Sequence, residues 1–268
     1  MNKILFGLSL LILTGCVNSD NKSEITEFTL DFSKPKKYIY SFSQTSTSKT
    51  QWKKNDQFDK TKSVAAGNLN IRIKENNLAD LSVTDLETSL IIYDSKGVEI
   101  DTVSNTAPVM VIQNMNQNGT FENNEHNFMF DLIFPLPTKN IKLGESDKIP
   151  MQIPFNVNGS KLFIKGHNTL RYNGIETIDG KQCAVLIGEI DISKIEIPEE
   201  LESTHKSSTT GNGTYYFDLA NKYFVGSDIE VKMTTASEKK NEKSKNDISF
   251  GNTNSESKIK IRLIKIEE

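Results

Sequence analysis

The residues whose types and spacing are most typical of binding chemistry lie between Asn114 and Glu125. Oxygen-bearing side chains occupy positions one, three, five, nine and twelve of this segment, and Gly119 occupies position six, as in a calcium-binding loop between two helices. Glu125 stands where the bidentate carboxylate belongs, but Asn114 stands where an aspartate is expected. An Asn-Gly turn between two packed helices explains the same residues with fewer assumptions. We therefore assign no metal site.

Other residue types that act in catalysis or zinc binding are scattered along the chain. His126, His167 and His205 form no pair with ligand spacing, and we interpret them as solvated loop residues. Cys183 lies in an apolar run typical of a strand, which favours a buried structural thiol. The sequence contains no Gly-x-Ser-x-Gly elbow, phosphate loop or dinucleotide fingerprint. We predict no catalytic residue and no cofactor, and expect a protein that is not an enzyme.

The start of the chain predicts a location in the cell envelope and a covalent lipid anchor. Lys3 supplies a positive charge, Ile4 to Leu13 form an apolar run, and Leu13-Thr14-Gly15-Cys16 has the pattern of a bacterial lipoprotein cleavage site. The run is about half the ~20 residues that a membrane-spanning helix needs. We therefore expect residues 1–15 to be a signal peptide and Cys16 to be the lipidated residue. Several acyl chains, palmitate among them, hold far better than one.

The remaining organisation follows from this anchor. Residues 16–24 are polar and predict a lipidated tether, and residues 25–268 are expected to form one mostly-β domain. Residue 17 is valine, whereas many lipoproteins that are retained at the inner membrane have aspartate at this position. We therefore expect this protein in the outer membrane of the cell envelope, if the host has an outer membrane. Without residues 1–15 the chain keeps 31 basic against 35 acidic side chains, a formal charge of −4, with no basic stripe. Nucleic acid is therefore not an expected partner.

Alternating apolar and polar residues dominate the body and predict strands with one wet face. Hairpin turns are predicted at Asp94-Ser95-Lys96-Gly97, at Asp179-Gly180 and at Ala220-Asn221-Lys222. The alternation of the last strand fails at Leu263-Ile264, which predicts a bulge. The expected fold is α+β, mostly β: a curved, half-barrel-like antiparallel sheet.

Three segments depart from the alternation. Residues 107–115 carry Pro108 where a first helical turn tolerates it, and residues 121–133 place apolar side chains at helical spacing. We therefore predict a helical pair on one side of the sheet. Residues 237–256 are polar and charged, and predict a mobile loop between the last two strands.

The C-terminal half resembles a family of uncharacterised bacterial envelope proteins, many of which look like lipoproteins. The resemblance is carried by Phe134-Pro135-Leu136-Pro137, Lys142-Leu143-Gly144-Glu145-Ser146, the hairpin from Gly174 to Ala184 and the strand from Gly213 to Leu219. Members commonly have Asp and Trp where this chain has Glu145 and Ser146. The family has no established activity, so the resemblance implies no catalytic residue. Its architecture is similar to that of periplasmic lipoprotein carriers and mycobacterial lipid-binding lipoproteins, which is analogy only.

Aromatic residues supply more apolar surface than a one-layer sheet can hide. They are Tyr38, Tyr40, Phe42, Trp52, Tyr215, Phe217, Phe224 and Phe128 beside Met129. Two helices lying across the sheet would complete a core, whereas a gap beneath them would accept an acyl chain. We expect a binding or carrier module for a hydrophobic small molecule or lipid. A structural or protein-interaction lipoprotein, and a hydrolase whose site assembles from distant residues, are the alternatives.

Overall fold

A computed structural model describes residues 26–52, 58–121, 125–157, 160–196, 205–240 and 248–268 of the chain. The predicted signal peptide, Cys16 and the tether lie outside these residues. The strands in the described ranges are β1 Lys36–Trp52, β2 Phe58–Ile73, β3 Ala79–Tyr93, β4 Glu99–Thr106, β5 Met110–Met115, β6 Ser146–Val157, β7 Ser160–Ile178, β8 Lys181–Glu196, β9 His205–Asp218, β10 Tyr223–Lys240 and β11 Ile248–Glu267. Helix α1 spans Phe128–Ile133.

All of these strands belong to one antiparallel sheet. The order across it is β4-β3-β2-β1-β11-β10-β9-β8-β7-β6, and β5 also pairs with β3. Chain neighbours are therefore sheet neighbours almost throughout, and the long pairing of β1 with β11 joins the two halves of the chain. The predicted mostly-β antiparallel sheet is confirmed.

The three predicted hairpins and the bulge are present. At Asp179-Gly180 both residues have positive φ, 48° and 78°, which suits the tight turn between β7 and β8. In β11 the register shifts so that Tyr40 pairs with Leu263 while Ile39 pairs with Lys265. Ile264 is skipped and is 60% exposed. The break in alternation at Leu263-Ile264 is thus a β-bulge.

The predicted helical pair is wrong. Residues 110–115 form strand β5, because Val111 and Ile112 favour extended backbone and Pro108 lies just before the strand, where no ladder hydrogen bond is needed. The second predicted helix, 121–133, is reduced to α1, which begins only after Asn127. Among the described residues no helix is long and apolar enough to cross a bilayer.

Two further stretches differ from their sequence patterns. Strand β10 continues to Lys240 and β11 begins at Ile248, so much of the predicted loop 237–256 is paired strand, and residues 241–247 lie outside the description. Polar residues such as Ser255 and Ser257 take the inward positions of β11 here, so a hydrophobic pattern does not show the strand. Strand β6 carries Pro150 and Pro154 and forms one edge of the sheet, where a residue without an N–H is accommodated.

The sheet encloses its own core. Apolar residues before β1 and after α1 pack against its inner face, including Phe28, Leu30, Phe32, Phe134, Leu136 and Ile141, all buried. Thr26 exchanges two backbone hydrogen bonds with Ile141, of 3.1 and 3.3 Å. These bonds attach the first described residue to the segment between α1 and β6. Ile153 of β6 and Val83 of β3 come from strands near opposite edges of the sheet, yet both line one cavity. The sheet is therefore curved around this interior.

Candidate functional site

One end of the enclosed interior is filled by aromatic side chains. Phe134 stacks on Phe224 with ring centroids 4.8 Å apart, and its ring lies 4.9 Å from that of Tyr40. Phe217 meets Phe224 and Phe28 edge to face, at 5.1 and 5.6 Å. Such pairs stabilise beyond the area they bury. We call this cluster, with Tyr38, the packed end.

Burial in and beside the packed end also raises the pKa values of tyrosine side chains. Burial raises the pKa of Tyr38, Tyr40 and Tyr215 well above the ordinary value. Burial, followed by the charge of Asp218, raises the pKa of Tyr223 to about 12. These four phenols therefore remain protonated at physiological pH.

Helix α1 forms the boundary between the packed end and an open space. The side chain of Asn127 accepts hydrogen bonds from the backbone N–H groups of Met129 and Phe130, at 3.0 and 3.3 Å, and caps the helix. The helix ends at Phe134, because the residue before Pro135 is disfavoured in helical backbone. Phe130 is buried, whereas Phe128 and Met129 are partly buried and line the space beside the sheet.

That space, which we call the α1 cavity, has a volume of about 660 Å³. From the helix it is lined by Phe128, Met129, Leu132 and Ile133. Apolar residues of the central strands line it opposite: Phe42, Leu69, Val83, Leu86, Val231 and Ile259. Met110 and Met233, 46% and 39% exposed, belong to the same wall. Methionine side chains adapt to irregular apolar partners.

A hydroxyl-rich wall completes the α1 cavity. It consists of Gln44, Ser46, Thr88, Thr209, Ser255 and Ser257. Ser46 and Ser257 face each other across β1 and β11 with 2.7 Å between their Oγ atoms, and Gln44 Nε2 donates to Ser46 Oγ at 3.0 Å. Thr209 is 6% exposed, and its Oγ1 has no hydrogen-bond partner among the described residues.

The hydroxyl-rich wall was missed by sequence reasoning, although a signal existed. The inward positions of β1 continue with period two from Tyr38 through Phe42 to Ser46 and Ser48. Those of β11 carry Ser255 and Ser257. The period of two is unbroken from Tyr38 to Ser48 in β1 and from Ser255 to Ile261 in β11, and only the chemistry of the inward side chains changes. Following the period instead of hydrophobicity would have found this wall.

A partly buried histidine lies behind α1. His126 Nδ1 and Asp131 Oδ1 are 3.2 Å apart, and Asp131 is buried. The hydrogen bond with Asp131 raises the pKa of His126 above its ordinary value, against the opposing effect of burial. Burial raises the pKa of Asp131 despite the neighbouring imidazole. The pair stabilises the start of the helix and does not line the α1 cavity.

The other histidines and the cysteine differ in outcome. His167 lies in β7 opposite Asp191 and is partly buried, so its interpretation as a loop residue is wrong. His205 opens β9, and its side chain lies outside the described residues, as does that of Trp52 at the end of β1. Cys183 is fully buried and free, as predicted, and burial raises the pKa of its thiol.

The segment with calcium-loop spacing is a turn that supports α1. Asn116 Oδ1 accepts hydrogen bonds from the N–H groups of Asn118 and Thr120, at 2.9 and 3.3 Å. Gly119 has φ of 76°, and an added Cβ there would lie 2.5 Å from Phe130. Lys74 Nζ donates to Asn114 Oδ1 at 2.8 Å, so an ammonium faces the first position of the proposed loop.

The flanks of this turn are a strand and α1, and not two helices. Within the described ranges, no three His, Cys, Asp or Glu side chains are grouped as a metal site requires, and residues 122–124 lie outside those ranges.

A second cleft, of about 700 Å³, lies where β1, β2 and β11 end. Its walls mix charges of both signs, including Lys37, Arg72 and Glu267. Lys37 Nζ lies 3.8 Å from a Glu267 carboxylate oxygen. Exposed ion pairs of this kind contribute little to stability. The α1 cavity is the better candidate site because its lining is mostly apolar and uncharged among the described residues.

Comparisons with known proteins leave the family open. No protein-family model matches this chain, and no curated protein matches its sequence. Among solved structures it is similar to lipovitellin, from a study of lipid–protein interactions in lipovitellin, with a TM-score of 0.40 and 10% sequence identity. The match covers 88% of this chain and 26% of the lipovitellin chain, so the chain spans about a quarter of that protein. A similarity this low supports no conclusion about the site.

Proposed function

We propose that this chain is a lipid-anchored protein of the cell envelope whose body binds a hydrophobic ligand in the α1 cavity. The observation that carries the proposal is an apolar cavity of about 660 Å³ between α1 and the sheet. Small-molecule sites commonly measure about 300–1,000 Å³ and are mostly apolar with a few polar groups. The α1 cavity fits that description in size and composition.

The burial of the lining residues supports this proposal. Phe42, Phe128 and Val231 are only partly buried although they belong to the same apolar cluster as the fully buried packed end. Leaving apolar surface in contact with water costs about 25 cal/mol per Å². A hydrophobic ligand between α1 and the sheet would remove this contact with water. Burial of this apolar surface therefore favours the binding of a hydrophobic ligand.

The lining chemistry favours binding over hydrolysis. Ser46, Ser255 and Ser257 are potential nucleophiles, but no histidine, aspartate or glutamate belongs to the described lining of the cavity. A serine without a general base is a weak nucleophile. We therefore retain the carrier and set aside the hydrolase for this cavity.

The anchor part of the proposal rests on the sequence. Cys16 ends a segment with the pattern of a lipoprotein cleavage site, and residues 16–24 would connect its acyl chains to the body. The resemblance to uncharacterised envelope lipoproteins points to the same location. An outer-membrane address follows from Val17 if the host has two membranes. Mass spectrometry of the mature N-terminal peptide from envelope fractions tests it, and an unmodified Cys16 would contradict it.

The ligand is tested by mass spectrometry of organic extracts. Residues 16–268 carrying Cys16→Ser keep the whole predicted mature chain and remove the acceptor of the anchor, so anchor lipids cannot be mistaken for ligand. We expect a co-purifying lipid at close to one per protein. A folded sample without lipid, which also fails to bind N-phenyl-1-naphthylamine, would refute the carrier function.

A matched pair of variants locates the binding. Ala65 lies in β2 and lines the α1 cavity, whereas Ala66 is exposed on the opposite face. Ala65→Trp should fill the cavity and weaken probe binding by at least about tenfold. Ala66→Trp adds the same side chain outside the cavity and should leave binding unchanged. Equal effects of the two substitutions would place the ligand elsewhere.

One observation favours the alternative of a protein-interaction module. Strand β4 is an edge strand whose residues are all exposed, and Val98 before it and Ile100 within it are 59% and 63% exposed. Exposed strand edges can accept a further strand from a partner. A photo-crosslinking residue at position 100, compared with one at exposed position 264 away from the edge, tests this in the intact envelope. Crosslinks confined to position 100 would support it.

A further inference from the structure

We infer that the ligand of the α1 cavity is an amphiphile with an uncharged, oxygen-rich polar group, of the acylglycerol class. This inference rests on the proposed function and specifies its substrate. It follows from three properties of the lining: an apolar wall, a hydroxyl wall and the absence of charge among the described lining residues.

The apolar wall sets where the hydrocarbon lies. Phe128, Met129 and Leu132 of α1 face Leu69, Val83 and Ile259 of the sheet across the cavity. None of these six side chains carries a hydrogen-bond donor or an oxygen acceptor. A polar headgroup between them would lose its hydrogen bonds with water and gain no comparable bonds in return. The acyl chain of the ligand must therefore lie beside α1.

The hydroxyl-rich wall determines where the headgroup of the ligand lies. Gln44, Ser46 and Ser257 are linked by hydrogen bonds, so their orientation is fixed before a ligand arrives. Ser255 hydrogen-bonds with Ser48 in the same way across β1 and β11. Serine hydroxyls can both donate and accept. Alcohol and ester oxygens match such a wall in either role.

Thr209 supplies the independent observation. It lines the cavity, is more than nine-tenths buried, and its hydroxyl has no partner among the described residues. An unsatisfied buried hydroxyl is costly, and native proteins rarely retain one without a ligand, water or functional reason. Rotation about χ1 by one rotamer step moves the hydroxyl to another position on Cβ, and a ligand oxygen within reach of that position would restore the missing hydrogen bond.

The absence of charge excludes ionised headgroups from the interior. Within the described part of the chain, no lysine, arginine, histidine, aspartate or glutamate lines the cavity. A carboxylate or phosphate placed there would lose its hydration without gaining a counter-charge, and such desolvation is far more expensive than that of a neutral group. Neutral glycerol and ester groups avoid this cost. Acylglycerols should therefore bind better than fatty acids or phospholipids.

The test compares two ligands that have the same hydrocarbon chain and different headgroups. Monooleoylglycerol and oleate, each below its self-association concentration, displace N-phenyl-1-naphthylamine from residues 16–268 carrying Cys16→Ser at pH 7.5. We expect monooleoylglycerol to bind at least about tenfold more tightly than oleate. Oleate binding as tightly, while the probe binds normally, would overturn the headgroup assignment and leave the carrier function intact. No probe binding to folded protein would overturn both.

A substitution that keeps the shape of Thr209 tests its role. Thr209→Val replaces only the hydroxyl by a methyl group and should weaken monooleoylglycerol binding about three- to tenfold, and probe binding by less. Thr210→Val makes the same change on the neighbouring exposed residue and should leave both affinities unchanged. An equal loss for the probe and the acylglycerol would show a packing defect and contradict the hydrogen bond.

Discussion

Strand β1 passes through both the packed end and the α1 cavity, and its inward side chains differ between them. Tyr38 and Tyr40 are 3% and 1% exposed, whereas Phe42 is only partly buried and Ser46 belongs to the hydroxyl wall. The same sheet thus has one end filled by its own aromatic residues and another left unfilled. Under the proposed function, the residues that stabilise the fold and the residues that bind the ligand lie at different positions along the same strands.

The largest test of this comparison removes one phenylalanine from each region. Phe134→Ala should lower the free energy of unfolding by about 3–5 kcal/mol, because a fully buried ring that contacts Phe224 and Tyr40 leaves a cavity. Phe128→Ala enlarges a space that already exists and should cost less than about 2 kcal/mol. Denaturant unfolding measures both. Equal losses would show that the two regions do not differ in packing.

An overpacking variant tests whether the sheet has spare room beside Tyr215. Gly213 lies under the ring of Tyr215, and an added Cβ would fall 2.2 Å from Tyr215 Oη. Gly213→Ala should cost about 1–3 kcal/mol of unfolding free energy and disturb the 3.2 Å hydrogen bond from Asn168 Nδ2 to Tyr215 Oη. Asn212→Ala on the exposed face is the control and should change stability little. An unchanged melting temperature for Gly213→Ala would reveal unexpected room there.

A cap substitution acts at the boundary between the two regions. Asn127→Ala removes the acceptor for the first N–H groups of α1 and should lower stability by about 1 kcal/mol. Because α1 forms one wall of the cavity, the dissociation rate of the probe should rise as well, measured by stopped-flow displacement. Asn127→Asp keeps a capping oxygen and should restore both values. A loss of stability with unchanged dissociation would separate the helix from the binding step.

The smallest expected effect is a pH dependence. The pKa of His126 is raised in the folded state by Asp131, so its contribution is fully present below about pH 6.5 and is lost as pH rises through the raised value. The raised pKa of Asp131 acts in the same direction at lower pH. Stability should therefore fall by about 0.5–1 kcal/mol above pH 6.5.

His126→Gln should flatten this slope of unfolding free energy against pH above 6.5. Stability that rises with pH in the unchanged protein over that range would contradict the assignment of the slope to His126.

Local chemistry made much of the fold predictable. The Asp-Gly and Asp-Ser-Lys-Gly turns, the bulge at Leu263-Ile264 and the burial of Cys183 each depend on residues close in sequence. Such signals need no knowledge of the tertiary fold. They were sufficient for an antiparallel, mostly-β architecture.

The elements that were wrong or missed depend on distant partners. Residues 110–115 pair with β3 about thirty residues earlier, and the prolines of β6 are tolerated because β6 is an edge. The cavity joins Phe42, Ile153 and Met233, which are far apart in the chain. A pattern along one strand can show that a side chain points inward, but not whether something fills the space it meets.

The burial of Cys183 has a practical consequence for spectroscopy. The chain contains two cysteines, so replacing Cys16 leaves one thiol, which is fully buried and holds its proton more tightly than usual. Maleimide reagents should ignore it, since thiolate and access are both required. A cysteine introduced at Met233, on the exposed rim of the α1 cavity, can then carry the only dye on the molecule, and its emission would follow ligand entry in real time.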